Sequence, residues 1–266
     1  MKTDCETVEI NNMLSNKEII VVKKTKIKEI NENQITLLNK YYNKDNKVFE
    51  IGVDESGRGP LFGRVYTAAV ILPKDDSFDF SKLKDSKKFH SKKKIIEVAE
   101  YIKTHALSWH VSYEDEKKID EINILQATQL SMHNSIFEVI KKSDNILIKQ
   151  KNEENIDYSY SLLIDGNYFN SYNILNKVTN QIENVPHKTI VSGDNKYASI
   201  AAASILAKVT RDNYIIELCN QHPTLIDFYN IDSNKGYGAK KHMDGIKEHG
   251  ITMWHRKSFA PCKNYI

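Results

Sequence analysis

The sequence predicts a mixed α/β domain, in which helices flank one sheet that has both antiparallel and parallel strands. One observation is the order of the apolar segments, which runs strand, strand, strand, helix, strand, helix. A further helix is predicted after residue 90, between the second and third strands. A second observation is that acidic residues directly follow three of the strand-like runs. Because ligands of such sheets gather at strand ends, the same pattern predicts where a functional site lies.

The composition is that of a globular chain long enough to bury a core. It has 266 residues, 40% hydrophobic and 27% charged, with a formal net charge of +3 that neither demands nor excludes nucleic acid. Cys5, Cys219 and Cys262 are far apart and fit neither zinc spacing nor a disulfide framework. Since we find neither a membrane-spanning run nor a signal-peptide core, we expect a cytoplasmic protein without membrane contact.

Residues 1–45 are polar and weakly patterned, and we interpret them as an N-terminal extension of a domain formed by residues 46–266. Ile19–Val22 is a short β-like run, and Ile35–Tyr42 is predicted as a small helix. The lysines of this extension would suit a polyanion, but a charge run more often marks a solvated face. No chemistry is assigned to it.

The first predicted strand, Val48–Val53, ends in the adjacent carboxylates Asp54 and Glu55. Two like charges at the end of a buried strand need a cation or water to tolerate each other. A hard divalent metal ion fits such a pair best. The alternative is a solvated strand end whose acids do nothing, and this pair alone does not decide between them.

A glycine turn, Gly57-Arg58-Gly59-Pro60, separates this strand from the second one, Arg64–Leu72. A dinucleotide-binding fingerprint is excluded, because that motif continues into a helix and here proline and a strand follow. The two glycines permit close approach of backbone to a ligand, and Arg58 between them is placed for phosphate.

Seven lysines cluster in residues 82–94, at the entry to a helix that we expect to be capped by Ser91 and to bury Ile95, Val98 and Ile102. Lysines around a helix N-terminus favour an anion such as phosphate, although a solvated helix face explains them equally well. The alternating segment Leu107–Tyr113 predicts a half-exposed strand at the sheet edge.

The second half of the chain supplies two more strand ends with carboxylates. A helix is predicted over Asp120–Ile140, capped near Asp120, and residues 141–160 are predicted as a polar loop. The inward residues of that helix are expected to be Leu125, Met132, Ile136 and Val139.

The strand Leu162–Ile164 then ends in Asp165, and Thr189–Val191 ends at Gly193 and Asp194. Helices are predicted from Ser199 to Asn220 and from Lys240 to His249. Four carboxylates at three strand ends are hard to explain as surface decoration, so the balance favours a metal site.

Seven motifs in the same chain resemble the ribonuclease HII (type 2 ribonuclease H) family and span about residues 48–262. They are GVDESGRGPLFG, LKDSKKF, IDEINIL, LLIDGN, SGDNKYASIAAASILAKVTRD, GYGAKKH and HRKSFAP. The GRGP turn distinguishes the chain from the sister family, ribonuclease HIII.

The resemblance implies a ribonuclease H-like fold, with a five-stranded mixed sheet flanked by helices and a helical C-terminal part. It implies endonucleolytic cleavage of RNA in RNA–DNA hybrids and incision 5′ to a single ribonucleotide in duplex DNA, leaving 3′-hydroxyl and 5′-phosphate ends. The family's four acids fall on Asp54, Glu55, Asp165 and Asp194, which would hold two Mg²⁺ or Mn²⁺ ions. Asp194 either completes the second metal site or lies just outside it.

Substrate contacts are also implied by resemblance. The backbone of the glycine turn and the ring of Tyr237 are expected to sense the ribose 2′-hydroxyl, and lysines to contact phosphate. The implied set is Gly57, Arg58, Gly59, Lys87, Ser204, Lys208 and Tyr237. Tyr237 as an ordinary turn residue and Lys208 as a helix-face lysine remain the alternatives, and His255 and Arg256 are expected to be structural or peripheral.

Two other functions are possible for such an acid cluster. An acid-cluster nuclease of the resolvase or transposase type would lack the GRG turn and the GYG tyrosine, and a non-catalytic hybrid-binding protein would lack at least one acid. We expect a monomer that binds nucleic acid. The family often carries a C-terminal sliding-clamp motif, and because Asn264-Tyr265-Ile266 lacks one, clamp tethering is not expected.

Overall fold

The computed structural model describes residues 38–150, 158–176 and 180–266. Within these ranges the chain forms seven strands and six α-helices. The strands are β1 (Val48–Ser56), β2 (Val65–Ile71), β3 (Ser108–Glu114), β4 (Ser159–Asp165), β5 (Asn173–Asn176), β6 (Gln181–Asn184) and β7 (His187–Ile190). The helices are α1 (Lys92–His105), α2 (Glu116–Gln150), α3 (Ala198–Gln221), α4 (Thr224–Tyr229), α5 (Ile231–Asn234) and α6 (Lys240–His249).

Five of the strands form one mixed sheet in the order β3-β2-β1-β4-β7, and β5 pairs with β6 as a separate hairpin. β1 and β3 run antiparallel to β2, whereas β4 runs parallel to both β1 and β7. The predicted mixed sheet is confirmed, and β3 lies at the edge of the sheet, as the alternating segment Leu107–Tyr113 predicts. The parallel half matters most for function, because it aligns the C-terminal ends of three strands.

Helix α3 packs against the centre of the sheet through small residues, as its IAAAS sequence predicts. A Cβ atom on Gly52 of β1 would lie 2.1 Å from the carbonyl carbon of Ser199, so the two backbones touch. Ala201, Ala202 and Ala203 are fully buried along the same helix. This close packing fixes the helix directly beneath the strand that carries Asp54.

Helix α2 covers the opposite face and differs from its prediction. Met132, Ile136 and Val139 are buried as expected, but Leu125 is only half-buried. The helix begins at Glu116 and kinks at Asn123, whose φ is 66°. Asp120 is not its cap, because its carboxylate accepts hydrogen bonds from the backbone of Lys257 and Ser258.

The prediction of a polar loop over residues 141–160 is wrong at both ends. α2 continues to Gln150, because Ile140, Ser143 and Leu147 keep one helical face buried among the charged residues. At the other end, β4 begins at Ser159. Residues 151–157 lie outside the described residues.

The residues just before β1 belong to the packed structure. Asn39 exchanges backbone hydrogen bonds with Lys196 and Ala198, and the amides of Tyr42 and Asn43 donate to the Glu50 carboxylate. A helix over Ile35–Tyr42 is therefore wrong from residue 38 onward, since this stretch forms an isolated bridge at Asn39 and bends but no helix. The predicted run Ile19–Val22 lies outside the described residues, and the division at residue 45 stays a prediction.

The C-terminal part is helical, as predicted. Side chains of α4 to α6 form a separate core with the β1–β2 connection, in which Phe62, Ile215, Tyr229 and Ile246 are buried. Cys219 and Cys262 are free thiols within it. Among the described helices, none combines the length and the apolar character that crossing a membrane requires.

Candidate active site

The strand register brings the four predicted acids to one edge of the sheet. Val53 of β1 is the neighbour of Ile164 in β4, so Asp54 and Asp165 leave adjacent parallel strands side by side. Asp165 in turn is paired with Ile190 of β7, and Asp194 follows in the short 3₁₀ turn Gly193–Asn195. Residues separated by 140 positions in the sequence thus meet in space.

Asp54 is a buried acid at the end of a central strand. Burial raises the pKa of its carboxyl well above the usual range, and the charges of Glu55 and Asp165 raise it further. Hydrogen bonds from the Ser204 hydroxyl and from the Glu55 backbone amide act in the opposite direction. These two donors orient the carboxylate, while burial and the neighbouring acids favour its protonated form.

Glu55 and Asp165 have raised pKa values for the same first reason, burial. The Arg58 guanidinium, 3.2 Å from Glu55 Oε1, partly offsets the shift at Glu55. The Gly193 backbone amide, 2.6 Å from Asp165 Oδ1, partly offsets the shift at Asp165. Glu55 thus accepts from a side chain, whereas Asp165 accepts from two backbone amides, those of Gly193 and Asp194.

Lys87 provides a cation at the rim of the site. Its ammonium is 3.7 Å from Asp194 Oδ2, while its side chain is 79% exposed. Partial burial would lower the pKa of Lys87, but the charge of Asp194 leads a group of acids that raise it overall. Lys87 thus faces both the acid cluster and the solvent from which a phosphate would approach.

The donor set fits a hard divalent cation, since it consists of carboxylate oxygens that repel one another when bare. In the described part of the chain, no three His, Cys, Asp or Glu side chains already converge on a single point as ligands would. Arg58, the Gly193 amide and Lys87 each contact one of these carboxylates.

The glycine turn lies beside this cluster, and Gly57 has an internal reason to be glycine. Its φ is +98°, and a Cβ atom there would lie 2.2 Å from Nε of the buried Arg211. Only Gly59 faces the outer surface, next to the ring of Tyr237. The sequence interpretation is that both glycines serve ligand approach. For Gly57, packing against Arg211 is by itself sufficient to require glycine.

Tyr237 lies on the same surface as the glycine turn. Its ring is 52% exposed, and a Cβ atom on Gly59 would lie 3.4 Å from one of its ring carbons. The Tyr237 backbone is fixed from the side of the protein interior, because His242 Nδ1 is 2.9 Å from the Tyr237 carbonyl oxygen. The buried His255 lies beyond, with its Nε2 3.0 Å from His242 Nε2.

Ser204 and Lys208, both on α3, make contacts inside the protein. Ser204 is buried beneath Asp54, with its hydroxyl 3.0 Å from that of Ser86. Lys208 Nζ pairs with Asp212 at 3.0 Å, one helical turn on, as the helix-face alternative expects. Direct contact of either residue with substrate stays a prediction.

Two arginines support the site: sequence reasoning missed Arg211 and expected Arg256 to be structural or peripheral, without its partners. Arg211 and Arg256 are almost completely buried, and both donate to backbone carbonyls around the glycine turn. The motifs AKVTRD and HRKSFAP contain them, which was the available signal. The motifs do not show, however, that these arginines bind the backbone carbonyls around the glycine turn.

A mixed sheet of this order, with acids at its parallel strand ends, has the arrangement of the ribonuclease H-like fold. Solved structures share this fold. The ribonuclease H2 of Pyrococcus horikoshii OT3 aligns at TM-score 0.56 and 19% identity, over 81% of this chain and 96% of that one. Bst-RNase HIII in complex with Mn²⁺ aligns at TM-score 0.57 and 18% identity, over 83% and 70%.

The sequence comparisons are more specific. The family model for ribonuclease HII matches residues 51–262. A ribonuclease HII of Bacteroides thetaiotaomicron is 43% identical over 82% of this chain and 92% of its own, and one of Neisseria meningitidis is 37% identical over 82% and 96%. The chain belongs to the ribonuclease HII family and is an endoribonuclease that acts on RNA–DNA hybrids.

Proposed function

We propose that this enzyme also incises duplex DNA on the 5′ side of a single embedded ribonucleotide, leaving 3′-hydroxyl and 5′-phosphate ends. The observation that carries the proposal is the adjacency of three features: the acid cluster, the glycine turn and the exposed ring of Tyr237. A site that cuts beside one ribose has to sense one 2′-hydroxyl next to the reacting phosphate.

Asp54, Glu55 and Asp165 would hold divalent ions, and Asp194 either completes the second site or lies just outside it. Mg²⁺ or Mn²⁺, when bound, supplies Lewis acidity and lowers the pKa of water. The Mn²⁺ complex of Bst-RNase HIII supports this class of ion. Ser204 and the Glu55 amide orient Asp54, and the Gly193 amide orients Asp165.

The remaining groups would bind and orient the nucleic acid. Backbone amides of Gly57, Arg58 and Gly59 are donors suited to a 2′-hydroxyl, and the Tyr237 ring offers a flat face to the adjoining sugar. Lys87 would contact a phosphate next to the acids, which sets register but not sequence choice. Ser204 and Lys208 would make secondary contacts with the nucleic acid.

The test compares three labelled duplexes of one sequence: all DNA, DNA with a single ribonucleotide, and an RNA–DNA hybrid. In Mg²⁺ or Mn²⁺ we expect cleavage of the last two, with a 3′-hydroxyl directly 5′ to the ribonucleotide. Chelator or Asp165→Asn should abolish both reactions. Cleavage of the hybrid without incision at the single ribonucleotide, in either metal, would refute the proposed specificity.

A monomeric state, a cytoplasmic location and a domain boundary near residue 45 are also part of the proposal. Light scattering during size-exclusion chromatography tests the first, and cell fractionation tests the second. A truncation that begins at residue 46 tests the third. Because Asn39 and the amides of Tyr42 and Asn43 bond to the domain, we expect that truncation to lower the melting temperature.

A further inference from the structure

Arg256 is a fully buried arginine whose guanidinium points into the back of the glycine turn. It donates four hydrogen bonds, all to backbone carbonyl oxygens of residues 57–63. The acceptors are Gly57 at 2.6 Å, Arg58 at 3.0 Å, Pro60 at 2.7 Å and Gly63 at 2.8 Å. Its own backbone amide donates to Leu61. A single residue therefore binds most of the carbonyls of this turn.

Among the basic side chains, only arginine fits this arrangement of carbonyl acceptors. A guanidinium has five N–H donors in a rigid planar fork, whereas a lysine ammonium has three donors at one point. The Arg256 guanidinium also lies over the ring of Phe259, at 5.1 Å from its centroid. Burial lowers the pKa of Arg256 to about 9, which leaves it charged at neutral pH. Fully buried charges are rare unless paired, and here the carbonyl dipoles are the partners.

These bonds determine which backbone groups of the turn face the solvent. With the carbonyls of Gly57 and Arg58 turned inward, the outward groups are the amides of Arg58 and Gly59, both exposed residues. Among the described residues, neither amide has a protein acceptor. The turn thus presents hydrogen-bond donors to the substrate side and hides its acceptors.

Arg211 and Gly236 hold the far side of the same connection. Arg211 donates to the carbonyls of Phe62 and Lys235, and the Leu61 amide donates to the carbonyl of Gly236. The turn that carries Tyr237 is thereby tied to the connection that Arg256 holds. Asp120 fixes the segment after Arg256, through the amides of Lys257 and Ser258.

We propose that Arg256 is a positioning residue for ribose recognition, which aims the amides of Arg58 and Gly59 at the 2′-hydroxyl by binding the carbonyls behind them. The inference rests on the proposed function of the glycine turn. It assigns a specificity role to a residue that touches neither substrate nor metal. It also explains why the arginine comes from a segment about 200 residues away in the sequence.

The test measures ribose discrimination by binding, with Ca²⁺ in place of Mg²⁺ to suppress cleavage. Dissociation constants are determined by fluorescence anisotropy for an all-DNA duplex and for the same duplex with one ribonucleotide. We expect the wild type to prefer the second duplex by about tenfold, the value of one well-made hydrogen bond. Arg256→Lys should reduce the preference to about twofold without weakening binding of the all-DNA duplex.

Two further variants separate positioning from stability. Asp120→Ala loosens the segment that carries Arg256 from a partly exposed position, and it should reduce the preference to roughly fourfold. Ile136→Ala makes a cavity in the core under α2, lowers the melting temperature and should keep the full preference. The Ile136 variant is therefore the control for general destabilisation.

Each result has one interpretation. A folded Arg256→Lys protein with the wild-type preference overturns the inference, and so does a loss of preference in Ile136→Ala. If Arg256→Lys fails to fold, Asp120→Ala decides, and an unchanged preference overturns the inference. A wild type that binds both duplexes equally overturns the proposed ribonucleotide specificity itself, and with it the role of Arg256.

Discussion

Gly57 and Arg211 are packed so closely that a Cβ atom on Gly57 would lie 2.2 Å from Nε of Arg211. Arg211 is buried and hydrogen-bonded to three carbonyls, so its side chain cannot shift to accommodate a methyl group at position 57. We therefore expect Gly57→Ala to destabilise the fold by about 3 kcal/mol and to reduce hybrid cleavage strongly. Urea unfolding and a hybrid cleavage assay measure the two effects.

Gly166 is the matched control for Gly57→Ala. It has the same φ of +98°, but no atom lies within 4 Å of a Cβ built on it. Gly166→Ala should therefore cost only the backbone strain, about 1 kcal/mol. If the two substitutions are equally destabilising, the contact with Arg211 does not explain the glycine.

Asp54→Asn should make the metal-free protein more stable while inactivating it. The substitution removes a buried charge that lies near Glu55 and Asp165, and its amide oxygen can still accept from the Glu55 backbone. We expect a gain of about 1 kcal/mol at pH 7.5, which raises the melting temperature by about 3 °C. Calorimetry in chelator checks this, with the exposed Asp76→Asn as a control that should change nothing. A lower melting temperature would contradict the repulsion argument.

Divalent ions should stabilise the wild type through the same acids. At a concentration 100 times the dissociation constant, Mg²⁺ should add about 2.7 kcal/mol to the free energy of unfolding, and chelator should remove it. Asp165→Asn should lose most of this gain. Asp194→Asn should keep part of it, because Asp194 lies beyond the strand ends in the 3₁₀ turn and already contacts Lys87. Equal losses in the two variants would make Asp194 a full ligand.

The buried pair His242 and His255 predicts acid sensitivity. The Thr252 amide donates to His255 Nδ1, so His255 Nε2–H donates to His242, which donates to the Tyr237 carbonyl. This chain requires both rings neutral, and burial lowers the pKa of His255 to about 3 and also lowers that of His242. Below the unfolded-state pKa of about 6.5, the unfolded chain binds protons that the folded chain excludes.

The two histidines should accordingly lower stability as the pH drops below 6.5, by about 1.4 kcal/mol per pH unit for each excluded proton, whereas the buried acids with raised pKa values act in the opposite direction. Urea unfolding at pH 7.5, 6.0 and 5.0 measures the slope. His255→Gln should reduce it, whereas substitution of the exposed His90 by Gln should leave it unchanged. A slope unaffected by His255→Gln would refute the assignment.

Lys87 should contribute one phosphate contact. Its exposed ammonium adjoins Asp194, so Lys87→Ala should weaken binding of every duplex to a similar extent. The dependence of log Kd on log salt should become shallower by about 0.9. Lys93, in the same lysine-rich segment but paired with Glu97, is the control, and Lys93→Ala should keep the wild-type slope.

Periodicity and strand ends predicted the sheet, α3, α6 and the convergence of the acids, because these depend on local pattern and simple sheet geometry. The full length of α2 was not predictable in the same way, since lysines and asparagine obscure the buried face formed by Ile140 and Leu147. The kink at Asn123 has no periodic signal, because Asn123 acts as a local cap whose Oδ1 accepts from the amides of Leu125 and Gln126.

The support of the site was equally hidden from the sequence. Arginine is normally a surface residue, and nothing in HRKSFAP shows that Arg256 faces carbonyls rather than phosphate. The extended pairing of Asn39 with the start of α3 is likewise formed by backbone atoms, which carry no residue-specific signature. Sequence reasoning located the acids well, but the arrangement that holds the neighbouring turn became visible only in three dimensions.

The bond between Arg256 and Gly57 spans 199 positions of the chain and has a consequence for synthesis. A ribosome that has translated as far as Asp194 has already made all four acids, yet the turn beside them still lacks its guanidinium. Nascent chains should therefore be unable to nick hybrids until residue 256 has cleared the exit tunnel. Completion of the turn is therefore a late event in the translation of this chain.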